Sequence, residues 1–464
     1  MGPGSAAPAA AQVHALGFSL VQQLTVIGVC ALTAYVAHLA LAVFNDGVRP
    51  FMLDFVHGRT TRGATAAVSF GLSAGFIFGL GAPMALSSGV LNPWLMFLPT
   101  DILGILAPRK WLAPLLGGAW GALIVFGLRG ADAAVHGLPV DFLTAMQQMA
   151  TPILFLFTLF PVLAITKQFG RARGAVAGAV ELGLVVLTMK LWPQVFAGAP
   201  AMAAGVLLLI GFAVARDVRQ RRTEPGSDAW APKAPEAPQT PESVRAPEAP
   251  DPMASLFSAS AARLRRHLPL FMALGAGVCV LAQMHIFGGG EATSFLIARG
   301  KYPEAAQVDL YRVLGFLPLI ATTALASGAY GIAGFTLVYP IGYLLPSPWL
   351  AVLCGALVFA AEVLALSGIG RLLGRLPSLR DSSERLRGAI GDTLHLAILF
   401  GSLMAAQAMG GGLGILIVGG LYLVNEAMGR IVVRMAAGPA AVIVAGIALN
   451  VLYGLGLFTP AAVS

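Results

Sequence analysis

Apolar runs close to the length needed to cross a lipid bilayer recur from residue 17 to the C-terminus, separated by short polar or Gly/Pro-rich breaks. Such a chain has few options. In hydrocarbon every backbone N–H and C=O must be paired inside the protein, so runs of this kind fold as helices packed on one another. Hydrophobic residues make up 57% of the 464 and charged residues only 11%, with a mean hydropathy of +0.81. These values place the chain among helical integral membrane proteins.

The runs fall into two groups of seven. The first lies at about 17–44, 66–88, 91–107, 111–128, 140–165, 172–191 and 196–215, and the second at about 267–287, 311–328, 330–346, 349–368, 388–408, 411–429 and 436–458. Residues 1–16 carry neither a basic start nor a small-residue cleavage site and are expected to be a flexible N-terminus rather than a signal peptide. Between the groups, residues 217–262 are rich in Pro, Ala and Glu and cannot bury an apolar face, so they are expected to be a disordered tether. The expected organisation is a first seven-helix unit over 17–216, the linker, and a second unit over 263–464.

Short matches mark the two units as copies. Trp111-Leu112-Ala113 recurs as Trp349-Leu350-Ala351, Ala197-Gly198-Ala199-Pro200-Ala201 recurs as Ala437-Gly438-Pro439-Ala440, and Leu98-Pro99 is echoed by Tyr339-Pro340. The formal charge of +8 is concentrated in alternate loops: Arg49, Arg59 and Arg62; Arg109 and Lys110; Lys167, Arg171 and Arg173; Arg216 to Arg222; Arg263 to Arg266; Arg371 to Arg387; Arg430 and Arg434. Positive loops stay in the cytoplasm, so the charge reports orientation rather than nucleic-acid binding. Both termini are then expected outside the cytoplasm and the linker inside. Arg299, Lys301 and Arg312 fall on the outer side, with Glu291, Glu304 and Asp309 close by. An odd span count per copy makes the second copy enter from the opposite side. The expected fold is therefore an all-α polytopic membrane protein of about 14 transmembrane helices, as two inverted seven-helix repeats.

In proteins of that plan the solute binds where short or broken helices expose backbone groups. Segments 90–108 and 330–348, the third and tenth helices, are matched breaks: one carries Asn92, Pro93, Pro99, Thr100 and Asp101, the other Gly331, Gly334, Tyr339, Pro340 and Gly342. Proline frees a carbonyl one turn back, which a ligand can use. Thr322, Thr323, Ser327 and Tyr330 lead into the second break and, with Asn92, Thr100, Asp101 and Tyr339, form the expected solute site. Asp101, Glu362, Asn425 and Glu426 are the candidates for a coupling ion, H+ or Na+, since ionisable groups within spans are costly unless functional. Asn425-Glu426 is also placed to pair with Arg430 one turn on, and His395 with Asp392 to form an interfacial pair or proton relay. Cys30, Cys279 and Cys354 have no metal-ligand spacing and are expected to be packing residues. No P-loop, HExxH or CxxC motif is present, and neither enzyme chemistry nor a cofactor is expected.

Asp46-Gly47-Val48-Arg49-Pro50, Phe97-Leu98-Pro99-Thr100-Asp101-Ile102-Leu103-Gly104, Gly315-Phe316-Leu317-Pro318 through Ala326, and Asn425-Glu426 resemble the signature runs of the YhfT family of bacterial inner-membrane proteins. That resemblance implies a transporter without an assigned substrate and draws attention to Asp46, Arg49, Asp101, Thr322, Thr323 and Glu426. Seven plus seven inverted spans with broken third and tenth helices is also similar to the uracil-permease and anion-exchanger architecture, where the substrate sits between the half-helices; the loop charges here give the opposite N-terminal orientation. Two functions are carried forward: a proton- or sodium-coupled transporter of a small polar or anionic solute, and a non-transporting scaffold that recruits a cytoplasmic partner through residues 217–262. The expected partners are a small solute and the bilayer, with a homo-oligomer left open and nucleic acid excluded.

Overall fold

The computed structural model describes residues 17–45, 48, 54–55, 58–193, 196–223, 252–375 and 377–460. Asp46 and Arg49 lie outside these residues, as do 1–16 and 224–251 of the expected linker. The ends of that linker segment are helical in this structure, since flanking helices run on to Thr223 and begin again at Pro252.

Helices make up most of the described residues, joined by turns and short extended segments, and the only strand-like pairing among the described residues is two isolated bridges. Helix α1 spans Leu20–His38; α2 (Arg62–Phe76) continues through a π turn at Ile77–Gly81 into α3 (Ala82–Ser88); α4 is Pro93–Leu106 and α5 Leu112–His136. Short α6 (Phe142–Met146) leads through a 3-10 turn to α7 (Ala150–Phe157), followed by α8 (Phe160–Phe169), α9 (Arg171–Leu191) and α10 (Gly198–Thr223). The second half comprises α11 (Pro252–Arg266), α12 (Leu268–Gln283), α13 (Glu291–Ala298), α14 (Tyr302–Ser327), a 3-10 segment Ile332–Leu337 entering α15 (Val338–Leu344), α16 (Pro348–Arg375), α17 (Pro377–Ala427) and α18 (Arg434–Gly454). Within α17 the backbone breaks at Gly410 and Gly411, which separates the two runs expected at 388–408 and 411–429.

Among the described residues, eight segments are long and apolar enough to cross a membrane, nine if α11 and α12, bent by 68° at His267, count as one. The protein is thus a multi-pass helical membrane protein. The expected runs at 91–107 and 330–346 fall on helices too short to cross, α4 and the segment Gly334–Leu344.

Helices α1 to α5 and α11 to α16 pack together; α6 to α10 pack with α17 and α18. The groups meet chiefly through α14 against α10 and α17 and through the π turn and α2 against α18, with smaller contacts of α13 with α7, of α3 and α5 with α6, and of α16 with α17. Within the first group the two halves are built alike. Gly104 of α4 lies so close to α1 that a Cβ there would overlap the Ala34 carbonyl, and a Cβ at Gly342 of α15 would meet the Ala282 Cβ and the Cys279 carbonyl of α12. Gly117 of α5 touches the Cys30 carbonyl as Gly355 of α16 touches that of Gly275. The chain turns after α1 at Ala40 (φ 52°) and after α12 at His285 (φ 56°), and reaches the broken helices through Gly89 (φ 69°) and Gly328 (φ 62°). Gly89 and Gly328 adopt left-handed backbone freely, but at Ala40 and His285 it is strain that only a demanded geometry retains.

The extended segments after those turns pair in a reciprocal way. Tyr330 N–H donates to Leu41 O and Val43 N–H to Tyr330 O, both at 2.8 Å; Leu91 N–H donates to Ile286 O at 2.8 Å and Gly288 N–H to Leu91 O at 2.9 Å. Each broken helix of one half is joined to the first helix of the other by a parallel bridge, Ala42 with Tyr330 and Leu91 with Phe287. The physical reason is that non-helical backbone at membrane depth must find partners within the protein. The close-approach glycines, Gly104 with Gly342 and Gly117 with Gly355, set the register of the two halves and place Phe97 with Phe335 and Asp101 with Tyr339. Matching Pro99 to Pro340, as the sequence suggests, sets the helices three residues out of register.

Candidate functional site

Two buried polar cradles flank an aromatic centre. The first is built on α4. Asn92 caps it, its Oδ1 accepting from Leu95 N–H at 3.0 Å while its Nδ2 donates to Gly81 O at 2.7 Å. Pro99 leaves the Leu95 carbonyl without its helical donor, and the Trp120 indole of α5 supplies one at 2.9 Å. Just beyond, the fully buried Asp101 accepts at Oδ2 from the N–H groups of Phe44 (2.6 Å) and Asn45 (3.0 Å), and Asn45 Nδ2 donates to Ser73 Oγ at 2.9 Å. Charge-assisted bonds of this kind are the strong ones, and they hold the extended segment against α4.

The second cradle occupies the matching place in the other half. Gly289 and Gly290 stand where Phe44 and Asn45 stand. Gly289 N–H donates to Tyr343 Oη at 2.8 Å, the same hydroxyl donates to Asp309 Oδ2 at 3.0 Å, and Arg312 Nη1 donates to Asp309 Oδ1 at 2.9 Å. Tyr339, in the place of Asp101, lays its ring on Gly289, where a Cβ would overlap it. Glu291, the first residue of α13, is 4% exposed, and neither its Oε1 nor the Tyr339 hydroxyl has a hydrogen-bond partner among the described residues. The guanidinium of Arg312 lies over Gly290, with Nη1 at 2.7 Å from where a Cβ would be. Helix α13 is not one of the crossing segments, and burial pushes its Glu291 carboxyl up from 4.5 to about 7, against the opposing pull of its own N–H and of Arg312.

Between the cradles lie aromatic rings. Phe97 and Phe335 sit 5.1 Å apart, Phe44 is 5.2 Å from Phe97 and 5.8 Å from Phe335, and Phe287 bridges Phe97 (5.5 Å) to Tyr339 (5.7 Å). Each of these rings is buried. The backbone at the start of the broken helices, expected to face a ligand, is instead taken up by the two bridges, the Asn92 cap and Trp120.

The YhfT family, described as "Protein of unknown function", matches residues 22–458. The chain belongs to the YhfT family. A YhfT relative, "Uncharacterized protein YhfT" of Escherichia coli (strain K12), is 38% identical over 453 residues, covering 95% of this chain and 99% of the relative. No solved structure matches. The resemblance read from the signature runs therefore extends over nearly the whole chain, and of those runs Phe97 to Gly104 supplies one wall of the aromatic centre and the first cradle.

The residues singled out from sequence in this YhfT chain are distributed unevenly. Asp101 and Tyr339 stand at matched places in the two cradles. Asn92 is a cap, and Thr100 Oγ1 donates to Phe97 O at 2.7 Å, closing its own helix turn. Tyr330 contributes backbone to a bridge and stacks near Phe271 (5.4 Å) and Phe359 (5.3 Å), its buried hydroxyl without a partner among the described residues. Thr322, Thr323 and Ser327 lie on α14, their side chains outside the described residues. Glu362 is buried on α16 with neither carboxylate oxygen hydrogen-bonded among the described residues. Asn425 clamps Val432 through both its N–H (2.9 Å) and its C=O (2.8 Å), and Glu426 binds Arg430 and Arg434 at 2.9 Å each. The structure thus gives Asn425 and Glu426 the pairing role at a helix end. Asp392 pairs with Lys167 and His395 with the Tyr422 hydroxyl, so those two do not form a relay with each other. Sequence reading treated Glu291, Asp309 and Arg312 as outer-loop charges, placed Tyr343 in the second broken segment without a role, and passed over Trp120. The available signal was Asp309 and Arg312 one turn apart on a helix with apolar flanks.

Proposed function

We propose that this YhfT protein is a secondary active transporter of a small polar or anionic solute, working by alternating access. In this reading its fourteen helical runs lie in the membrane as two inverted seven-helix repeats, the third and tenth broken short of a full crossing, with basic loops in the cytoplasm. The observation that carries it is the reciprocal bridging: each broken helix is tied to the first helix of the other half, and each tie ends in a buried polar cradle. A protein that only spans the bilayer has no need to interrupt two helices at matched depths and then satisfy the interruptions from the opposite half.

The same observation supports a two-body mechanism. The cradles and aromatic centre belong to the group of α1 to α5 and α11 to α16, against which α6 to α10 with α17 and α18 pack through a restricted set of helices. Rocking of one group on the other would open the aromatic centre to one side at a time, with solute entering where the Phe97 and Phe335 rings now meet. Protons or sodium ions are the coupling ions of this reading.

Reconstitution into proteoliposomes tests it. A panel of labelled small polar and anionic solutes should include one whose uptake responds to a pH or sodium gradient and is lost on Asp101→Asn. Absence of any protein-dependent uptake across the panel would overturn the reading. Reporter fusions at both termini test the topology; a cytoplasmic N-terminus would remove the inverted seven-plus-seven plan.

A further inference from the structure

In the second cradle the buried acids outnumber the cation. Three ionisable groups of fixed preference meet in it: the carboxyls of Glu291 and Asp309 and the guanidinium of Arg312, with side-chain exposure of 13% for Arg312 and 0% for Asp309 in their ion pair. Arg312 is bound to Asp309 at 2.9 Å and also lies over Gly290, the residue that precedes Glu291. One guanidinium therefore serves two acids. With both acids ionised the cluster carries one uncompensated negative charge in a region closed to water, which costs several kcal/mol by the general rule for buried charge.

The neighbouring elements do not supply the missing positive charge. Helix α13 packs against α3, α7 and α14. Neither α3 nor α7 carries an ionisable residue. On α14 the ionisable residues other than Asp309 and Arg312 are Tyr302, Glu304 and Tyr311. Lys301 is spent on Glu304 at 3.0 Å at the exposed start of that helix, and Tyr302 stacks on His285 with ring centroids 3.6 Å apart. From α15 the cluster meets Tyr339 and Tyr343, of which Tyr343 already donates to Asp309. Arg299 lies at the opposite end of α13 from Glu291. Among the described residues, Glu291 Oε1 has no hydrogen-bond donor.

We infer that Glu291 holds one exchangeable proton, and that Arg312 moves from Asp309 toward Glu291 when that proton leaves. The proton is taken from and returned to water on whichever side the cradle opens; no bond other than O–H is made or broken. Gly290 is what permits the exchange, because a side chain at that position would occupy the space in which the guanidinium lies. The inference deepens the transport reading and rests on it only in naming this proton the coupling ion; the proton site itself stands or falls separately.

The test is an infrared difference spectrum of the purified full-length protein between about pH 5 and about pH 9, which bracket the range over which a buried acid of this kind exchanges its proton. It needs no solute. The wild type is expected to lose a protonated-carboxyl C=O band on going to the higher pH, Glu291→Gln to lack that change, and Asp309→Asn to retain it with a shifted midpoint. Glu291→Asp should keep the band at a displaced frequency, which guards against misfolding of the glutamine variant. A wild-type band change that survives in Glu291→Gln, or no change at all in the wild type, would overturn the proton site even if gradient-driven uptake were found. Conversely, a titrating band abolished by Glu291→Gln upholds the proton site even where no solute is transported.

Discussion

Phe97 of α4 and Phe335 at the start of the second broken segment meet with ring centroids 5.1 Å apart, and each stands in its half where the other stands in its own. Two equivalent residues touching each other lie on the relation that joins the halves. The contact closes the space between the broken helices, and it makes the centre of the protein apolar while the polar cradles sit to either side. Loss of either ring would leave a cavity lined by Phe44 and the surviving phenylalanine.

Phe97→Ala and Phe335→Ala are each expected to destabilise the protein by about 3–5 kcal/mol, the usual cost of emptying an aromatic site in a core. Because the rings touch, the double variant should be less destabilised than the sum by about 0.5–1.5 kcal/mol. Denaturant unfolding in detergent micelles measures both. Strict additivity would mean that the two rings do not interact.

Asp101→Asn retains the shape of the side chain but removes the charge that two backbone N–H groups share. The expected loss is about 1.5–3 kcal/mol, that of a charge-assisted hydrogen bond in a buried setting. Hydrogen exchange at Phe44 and Asn45 should accelerate more than at Leu91, which is bridged elsewhere. Equal acceleration at all three would show that the effect is global rather than at the cradle.

Gly117→Ala and Gly355→Ala would press a methyl group against the Cys30 and Gly275 carbonyls, and each should lower stability by about 1–3 kcal/mol through overpacking. Gly130→Ala, with nothing within 4 Å, is the control and should be neutral or stabilising. Thermal unfolding of the three variants side by side is sufficient. A control that falls as far as the other two would remove the close-approach explanation.

Stability should depend on pH through Glu291. Its folded carboxyl holds its proton up to about 7, whereas the ordinary value is 4.5, so between these limits the folded state binds more protons than the unfolded one. Stability from this group is therefore greatest below 4.5, falls as pH rises toward 7, and levels off above it. Glu291→Gln should flatten that part of the profile of unfolding midpoint against pH; an unchanged slope would assign it to another group.

Glu426→Gln should leave the unfolding midpoint and any uptake unchanged, because its partners Arg430 and Arg434 are 51% and 42% exposed and salt screens such pairs. Asn425→Ala should do more, since Asn425 holds the Val432 backbone through two bonds.

The features legible in the sequence are those that depend on neighbours along the chain. Runs of apolar residues announce helices because the cost of placing a segment in lipid adds residue by residue, and Asn92-Pro93 and Gly331 announce where a helix must start again. The repeat was visible in Trp111 and Trp349, and family membership in the runs from Phe97 to Gly104. Asp101 was found because a carboxyl in an apolar run is conspicuous. Asp309, Arg312 and Glu291 were not, because charges near a run's end look like any solvated loop.

The sequence alone thus determined the membrane class, the helical runs, the doubled unit and the places where two helices are interrupted. Only the tertiary structure decided what satisfies those interruptions: Tyr330 against Leu41 and Val43, Leu91 against Ile286 and Gly288, Trp120 on the carbonyl that Pro99 leaves open, and Gly104 in register with Gly342 rather than proline with proline. The reason is that hydropathy is a local sum, while a buried polar group takes whichever partner the packing of distant helices brings within hydrogen-bonding distance, and no local sum contains that choice.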